Sequence, residues 1–114
     1  MGSGGKNIRK NLKNNKLFLA AGYKIKDLSQ ELNTPIYLIS SFINQEYGKN
    51  FNELINDYRV DYITDLLKES PDSQNFTLEA VAKSAGFNSR NTFIGAVKKK
   101  SGMTPSNYFS KEIS

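Results

Sequence analysis

The stretch AGFNSRNTFIGAVKKKSGMTP, residues 85–105, is punctuated by glycines and carries three consecutive lysines. Ser89 is a helix-capping residue type, and Phe93, Ala96 and Val97 follow at helical spacing until Gly102 ends the run. Thr104 and Pro105 then open another short helix through Tyr108 and Phe109. One residue breaks the pattern. Gly95 falls in mid-helix, where glycine costs about 1 kcal/mol relative to alanine.

Working outward, Thr77 caps a short helix whose Leu78, Val81, Ala82 and Ala85 form an i, i+3, i+4, i+7 stripe closed by Gly86. Before it lies the polar loop SPDSQN, where Pro71 ends a long helix bearing Phe51, Leu54, Ile55, Tyr58, Tyr62, Ile63, Leu66 and Leu67. Asn50 and Glu53 have the spacing of a capping box for that helix. Further back, Ile25, Leu28 and Leu32 line a short helix that turns at Asn33. Thr34 as cap and Pro35 as first helical residue start the next, which turns Ile39, Phe42 and Ile43 inward and stops at Gly48.

The two ends of the chain thus say the same thing. Leu28 answers to Val81, Leu32 to Ala85, Ile39 to Phe93, Ile43 to Val97 and Gly48 to Gly102, a duplication with a period of 53 to 54 residues. Each copy is a short helix, a tight turn and a longer helix, the outline of a helix-turn-helix. The predicted fold is all-α, with about seven helices in two helix-turn-helix subdomains joined by a long linker helix. The first subdomain is expected at about 24–48, the linker at about 50–69 and the second at about 77–102.

Composition narrows the function. The 114 residues suit one compact domain, and 38% hydrophobic content is adequate for a small helical core. With no cysteine and no histidine, thiol nucleophiles, cysteine-based zinc sites and Ser-His-Asp triads are all excluded. An enzyme is not expected, nor a catalytic residue, bound metal or cofactor. No apolar run approaches the roughly 20 residues that cross a bilayer, so a cytoplasmic location without membrane contact is expected. MGSGG at 1–5 reads as an expression-tag remnant, leaving 6–114 as the domain.

The net charge of +5 hides a pattern. Residues 1–26 carry seven basic and no acidic side chains, residues 27–79 three basic and ten acidic, and residues 80–114 six basic and one acidic. Basic ends around an acidic middle point to a polyanion met by selected surfaces only.

These residues resemble the DNA-binding domain of the AraC/XylS family of transcription regulators. AGFNSRNTF at 85–93 and KKKSGMTPSNY at 98–108 are similar to the family's second-half signature, and FINQEYGKNFNELINDYR at 42–59 to its first half and the start of the connecting helix. The resemblance implies sequence-specific control of transcription, with two recognition helices entering successive major grooves of double-stranded DNA. It also implies further partners: RNA polymerase, or a sensor or dimerisation domain elsewhere in the full-length protein. The alternative is a degenerate module that works mainly as a protein-interaction domain and binds DNA weakly.

The inward positions define the outward ones. Ile36, Tyr37, Ser40, Ser41 and Asn44 form the groove-facing strip of the first recognition helix, and Arg90, Asn91, Ile94, Gly95 and Lys98 that of the second. Arg pairs with guanine and Asn with adenine through two hydrogen bonds, which makes Arg90 and Asn91 the leading base readers. Lys98 and Lys99, Lys49, and Asn88, Ser89 and Thr92 at a helix N-terminus are expected to hold phosphates, with the basic arm at 6–16 as an auxiliary contact. Ser41 and Gly95 stand where relatives often have a long polar side chain, and Val97 where they have an aromatic one. Glu53, Asp57, Asp61, Asp65 and Glu69 recur every four residues as an acidic ridge. That ridge is expected to point away from DNA, repelling phosphate or docking on a basic partner, and Arg59 to pair with a carboxylate.

Overall fold

The computed structural model describes residues 8, 10–12, 16–70 and 76–113. Residues 1–5, expected to be a tag remnant, most of the basic arm and residues 71–75, where a polar loop is expected, lie outside the described residues. Within them, residues 8 and 10–12 are helical, and a 3-10 turn at Leu17–Leu19 then precedes six further α-helices: α1 (Ile25–Leu32), α2 (Ile36–Tyr47), α3 (Phe51–Glu69), α4 (Leu78–Ser84), α5 (Arg90–Ser101) and α6 (Pro105–Ile113). No strand occurs among the described residues.

Local chemistry sets the helix ends. Asn50 and Glu53 close a reciprocal capping box, with Glu53 N donating to Asn50 Oδ1 at 2.9 Å and Asn50 N to Glu53 Oε1 at 3.0 Å. Thr77 Oγ1 accepts from Ala80 N at 3.1 Å and Ser89 Oγ from Thr92 N at 3.0 Å. Gly48 and Gly102 end α2 and α5 in the left-handed region, and Asn33 does the same after α1. Thr34 is not a cap. Its hydroxyl donates back to Leu32 O at 2.9 Å, and α2 begins at Ile36, after Pro35. The turn between α1 and α2 uses that hydroxyl to satisfy a trailing carbonyl of α1, one of the groups a helix end leaves unpaired.

Two apolar cores form, one per half. The first gathers Ile8, Leu12, Phe18, Leu28, Ile39, Ile43, Phe51, Leu54 and Ile55. The second gathers Val60, Ile63, Leu67, Val81, Ala82, Ala85, Phe87, Phe93, Val97 and Phe109. Phe93 lies 5.3 Å from Phe87 and stacks on Phe109 at 6.2 Å between ring centroids, so α4, α5 and α6 close around it. At about 100° of rotation per residue, Phe51, Leu54 and Ile55 point roughly 160° away from Val60, Ile63 and Leu67. The linker therefore buries opposite faces at its two ends. The apolar residues that read as one stripe in the sequence are two stripes laid end to end.

Arg59 sits where these arrangements meet. It is buried, and it donates through Nε to Phe18 O at 2.7 Å, through Nη2 to Ala20 O at 3.0 Å and through Nη1 to Asn56 Oδ1 at 3.4 Å. Its guanidinium lies 5.8 Å from the Phe87 ring centroid, and burial lowers its pKa below the usual guanidinium value. The expected carboxylate partner is absent among the described residues: Arg59 projects from a different side of α3 than the acidic ridge does. It meets instead two carbonyls of the 3-10 turn and its end, that of Phe18 and that of Ala20, the latter shared with Tyr23 N at 3.1 Å. Gly86 makes room for it. With φ at +103°, a Cβ there would lie 2.8 Å from Arg59 Nε and from the carbonyl oxygens of Phe18 and Leu19.

Candidate nucleic-acid interface

Burial of Ile39 and Ile43 turns the opposite side of α2 to solvent, and burial of Phe93 and Val97 does the same for α5. Tyr37 is 72% exposed and Ile36 45% exposed, and Ser41 and Asn44 are also exposed, whereas Ser40 is half-buried. Asn44 Nδ2 bonds Ser40 O of its own helix at 3.0 Å. On α5, Arg90, Asn91, Gly95 and Lys98 are exposed. Ile94 is half-buried against the second core, so it divides its side chain between the strip and the interior. A Cβ on Gly95 would meet nothing within 4 Å. Leu38, 47% exposed, extends the apolar start of the first strip, although the sequence-derived strip does not include it.

The charged residues are arranged differently from their expected roles. Lys49 pairs with Asp57 and Lys99 with Glu53; Lys100 lies 3.3 Å from Asp61, and Arg90 Nε 3.2 Å from Glu79. The first three carboxylates of the ridge thus face the tail of α5 and the start of the linker rather than empty solvent. Two of the expected phosphate anchors, Lys49 and Lys99, are held by them. Lys98 is exposed and has no ion pair among the described residues.

Asn88, Ser89 and Thr92 line a cleft of about 530 Å³ together with Lys24, Asn52 and Asn56. Ser89 is also occupied as a cap: its hydroxyl donates to Thr92 Oγ1 at 2.7 Å. Lys24, Asn52 and Asn56 are absent from the sequence-derived site, although Asn52 and Asn56 lie one helical turn apart, a spacing that places both on one face. The cleft collects amide, hydroxyl and ammonium donors between α3 and the start of α5. Such donors orient a phosphate backbone without reading bases.

A helix-turn-helix domain model matches residues 28–111. The chain belongs to the AraC-type helix-turn-helix family. This AraC-type domain is therefore a DNA-binding transcription-regulator domain rather than an enzyme, with DNA as its partner. Among solved structures its fold is similar to that of a Listeria innocua protein of unknown function, with TM-score 0.72 and 23% identity over 93% of this chain and 94% of that one. It is similar also to the C-terminal domain of the two-component response regulator yesN from Fusobacterium nucleatum, with TM-score 0.69 and 21% identity over 90% and 98% of the two chains. A third likeness is to the C-terminal domain of AraT, a response regulator from Geobacillus stearothermophilus, with TM-score 0.67 and 24% identity over 84% and 76%. No curated protein matches it. No helix among the described residues is long and apolar enough to cross a membrane.

Proposed function

We propose that this AraC-type domain binds double-stranded DNA sequence-specifically, with α2 and α5 in successive major grooves on one side of the duplex. One observation carries the reading: Tyr37 and Asn91, equivalent residues of the two repeats, both stand exposed on helices whose opposite faces are buried. Arg90 and Asn91 read bases once Arg90 leaves Glu79, with Tyr37 and Asn44 beside them, and Ile36, Ser40, Ser41, Ile94 and Gly95 complete the strips. Lys98, Lys99, Lys49, Asn88, Ser89 and Thr92 hold phosphates. Two neighbours are C-terminal domains of response regulators, which favours a role as the output module of a longer regulator that also meets its sensor or dimerisation domain and RNA polymerase.

Selection from random duplex DNA is expected to return an asymmetric site of about two helical turns. Binding should fall with salt at a log-log slope of about −0.9 per neutralised phosphate. Arg90→Ala is expected to relax preference at its base position, worth about 1–3 kcal/mol, while Lys98→Ala weakens all sequences alike. Equal, weak binding to every duplex would overturn the reading. It would favour a protein-interaction module instead, the alternative suggested by the short Ser41 and Gly95 and by the intramolecular pairing of Lys49 and Lys99.

A further inference from the structure

The acidic ridge divides into two parts with different surroundings. Glu53, Asp57 and Asp61 face lysines of the same chain. Asp65 and Glu69, one and two turns further on, have no ion pair among the described residues and open instead into a groove of about 910 Å³ between α3 and α6, where Glu112 joins them. This volume lies toward the upper end of the roughly 300–1,000 Å³ typical of ligand clefts.

The floor of that groove is aromatic. Phe18, Tyr58, Tyr62 and Tyr108 line it, with Phe18 5.6 Å from Tyr58 and 6.4 Å from Tyr62 between ring centroids. One cation already uses it: Lys16 Nζ lies 5.8 Å from the Tyr62 centroid, within cation–π range. Apart from Lys16, Lys68 is the only basic residue in the lining among the described residues, against Asp61, Asp65, Glu69 and Glu112. The groove also lies on the other side of the linker from the donor-rich cleft. By helical rotation, Tyr58, Tyr62, Asp65 and Glu69 point roughly 120° away from Asn52, Asn56 and Arg59.

We propose that this groove is a docking site for a basic amphipathic helix of a partner protein. The charge of the walls and the rings of the floor select cationic side chains with apolar stems. Spacing selects the helix: carboxylates at 65 and 69 repeat about every 6 Å along α3, one and two turns beyond Asp61, which Lys100 shares, and lysines or arginines at every fourth position of a second helix repeat at the same interval. Leucines beside those cations then cover Tyr58, Tyr62 and Tyr108. Such a site leaves both recognition strips free, so the domain holds DNA and this partner together.

The test uses a fluorescein-labelled helical peptide with lysine at every fourth position and leucine beside it, titrated with the intact chain and followed by anisotropy. Asp65→Asn with Glu69→Gln is expected to weaken binding about 10-fold, whereas Glu46→Gln with Glu79→Gln, an equal charge change outside the groove, leaves it within about twofold. Tyr62→Leu is expected to weaken binding as well, with its melting temperature recorded to establish folding. Lys16→Gln is expected to strengthen it about threefold by vacating the ring, beyond any effect of Lys24→Gln, which removes the same charge elsewhere. Equal losses from the two double variants, equal binding of a peptide with glutamate in place of lysine, or no binding at all would overturn the proposal. These readouts contain no DNA, so they stand or fall apart from the duplex selection.

Discussion

Two glycines separate backbone need from its absence. At Gly86 the positive φ and three atoms at 2.8 Å leave no place for a side chain, so Gly86→Ala is expected to cost at least about 2 kcal/mol in urea unfolding. Gly95 is helical and has open space around it, so Gly95→Ala should raise stability by up to about 1 kcal/mol. Duplex affinity of the same variant then assigns its role: a fall of about 10-fold despite higher stability means that the bare backbone approaches DNA, and no change means a vacated contact. A third residue sets a pH dependence. Tyr23 donates its hydroxyl to Glu31 Oε1 at 2.9 Å, and burial first, then the hydrogen bond and charge of Glu31 and the charge of Asp27, push its pKa well above the usual 10.0. Above that value the unfolded chain releases a proton that the folded chain keeps. The stability contributed by this group is therefore complete below about pH 10 and is lost as pH rises beyond it, and Tyr23→Phe should flatten that alkaline decline.

At the scale of elements, Glu53 does two jobs that one substitution separates. Glutamine at the third position of a helix still closes a capping box, so Glu53→Gln should leave stability within about 0.5 kcal/mol of the parent. It does, however, release Lys99. An exposed ion pair is worth up to about 1 kcal/mol, so duplex affinity should rise by up to about fivefold at low ionic strength, with the gain shrinking as salt is added. Lys99→Gln should act in the opposite direction. Most caps were legible in the sequence, Thr34 excepted: Asn50, Thr77 and Ser89 bond groups three residues away, and Gly48 and Gly102 need only their own backbone conformation. Most exposed positions of both strips were legible from the repeat too, because burial of Ile39, Ile43, Phe93 and Val97 follows from helical spacing, but half-burial of Ser40 and Ile94 was not. The partners of Arg59 and of the ridge depend instead on which side of α3 each half of the chain packs against. Spacing within a helix does not encode that. Nor does it indicate that Lys24, 64 residues before Asn88, shares a cleft with it.

Across the whole molecule, one rod carries two cores on opposite faces, and a few residues stop the halves from turning independently. Leu19 and Tyr62 pack against both cores, and Arg59 ties the 3-10 turn of the first half to the Gly86 turn of the second. The molecule measures 43 × 25 × 23 Å, long enough to span the roughly 34 Å between successive major grooves on one side of a duplex. If that rigidity sets the distance between α2 and α5, Arg59→Met should damage DNA binding without touching either strip. The buried Phe18 carbonyl would lose its donor at about 1–3 kcal/mol, the Ala20 carbonyl would keep only Tyr23 N, and the halves would lose their common orientation. Affinity for a two-turn site should then fall about 10-fold or more, while affinity for a duplex carrying one half-site stays nearly constant, because linkage by a loose tether gives a lower effective concentration than a rigid one. The parent should also reject a site with about half a turn inserted between its half-sites, since that places the grooves on opposite sides of the duplex. Arg59→Met should bind the altered and original sites with more nearly equal affinity. A variant that loses affinity for one half-site as severely as for two would show that Arg59 only keeps the domain folded.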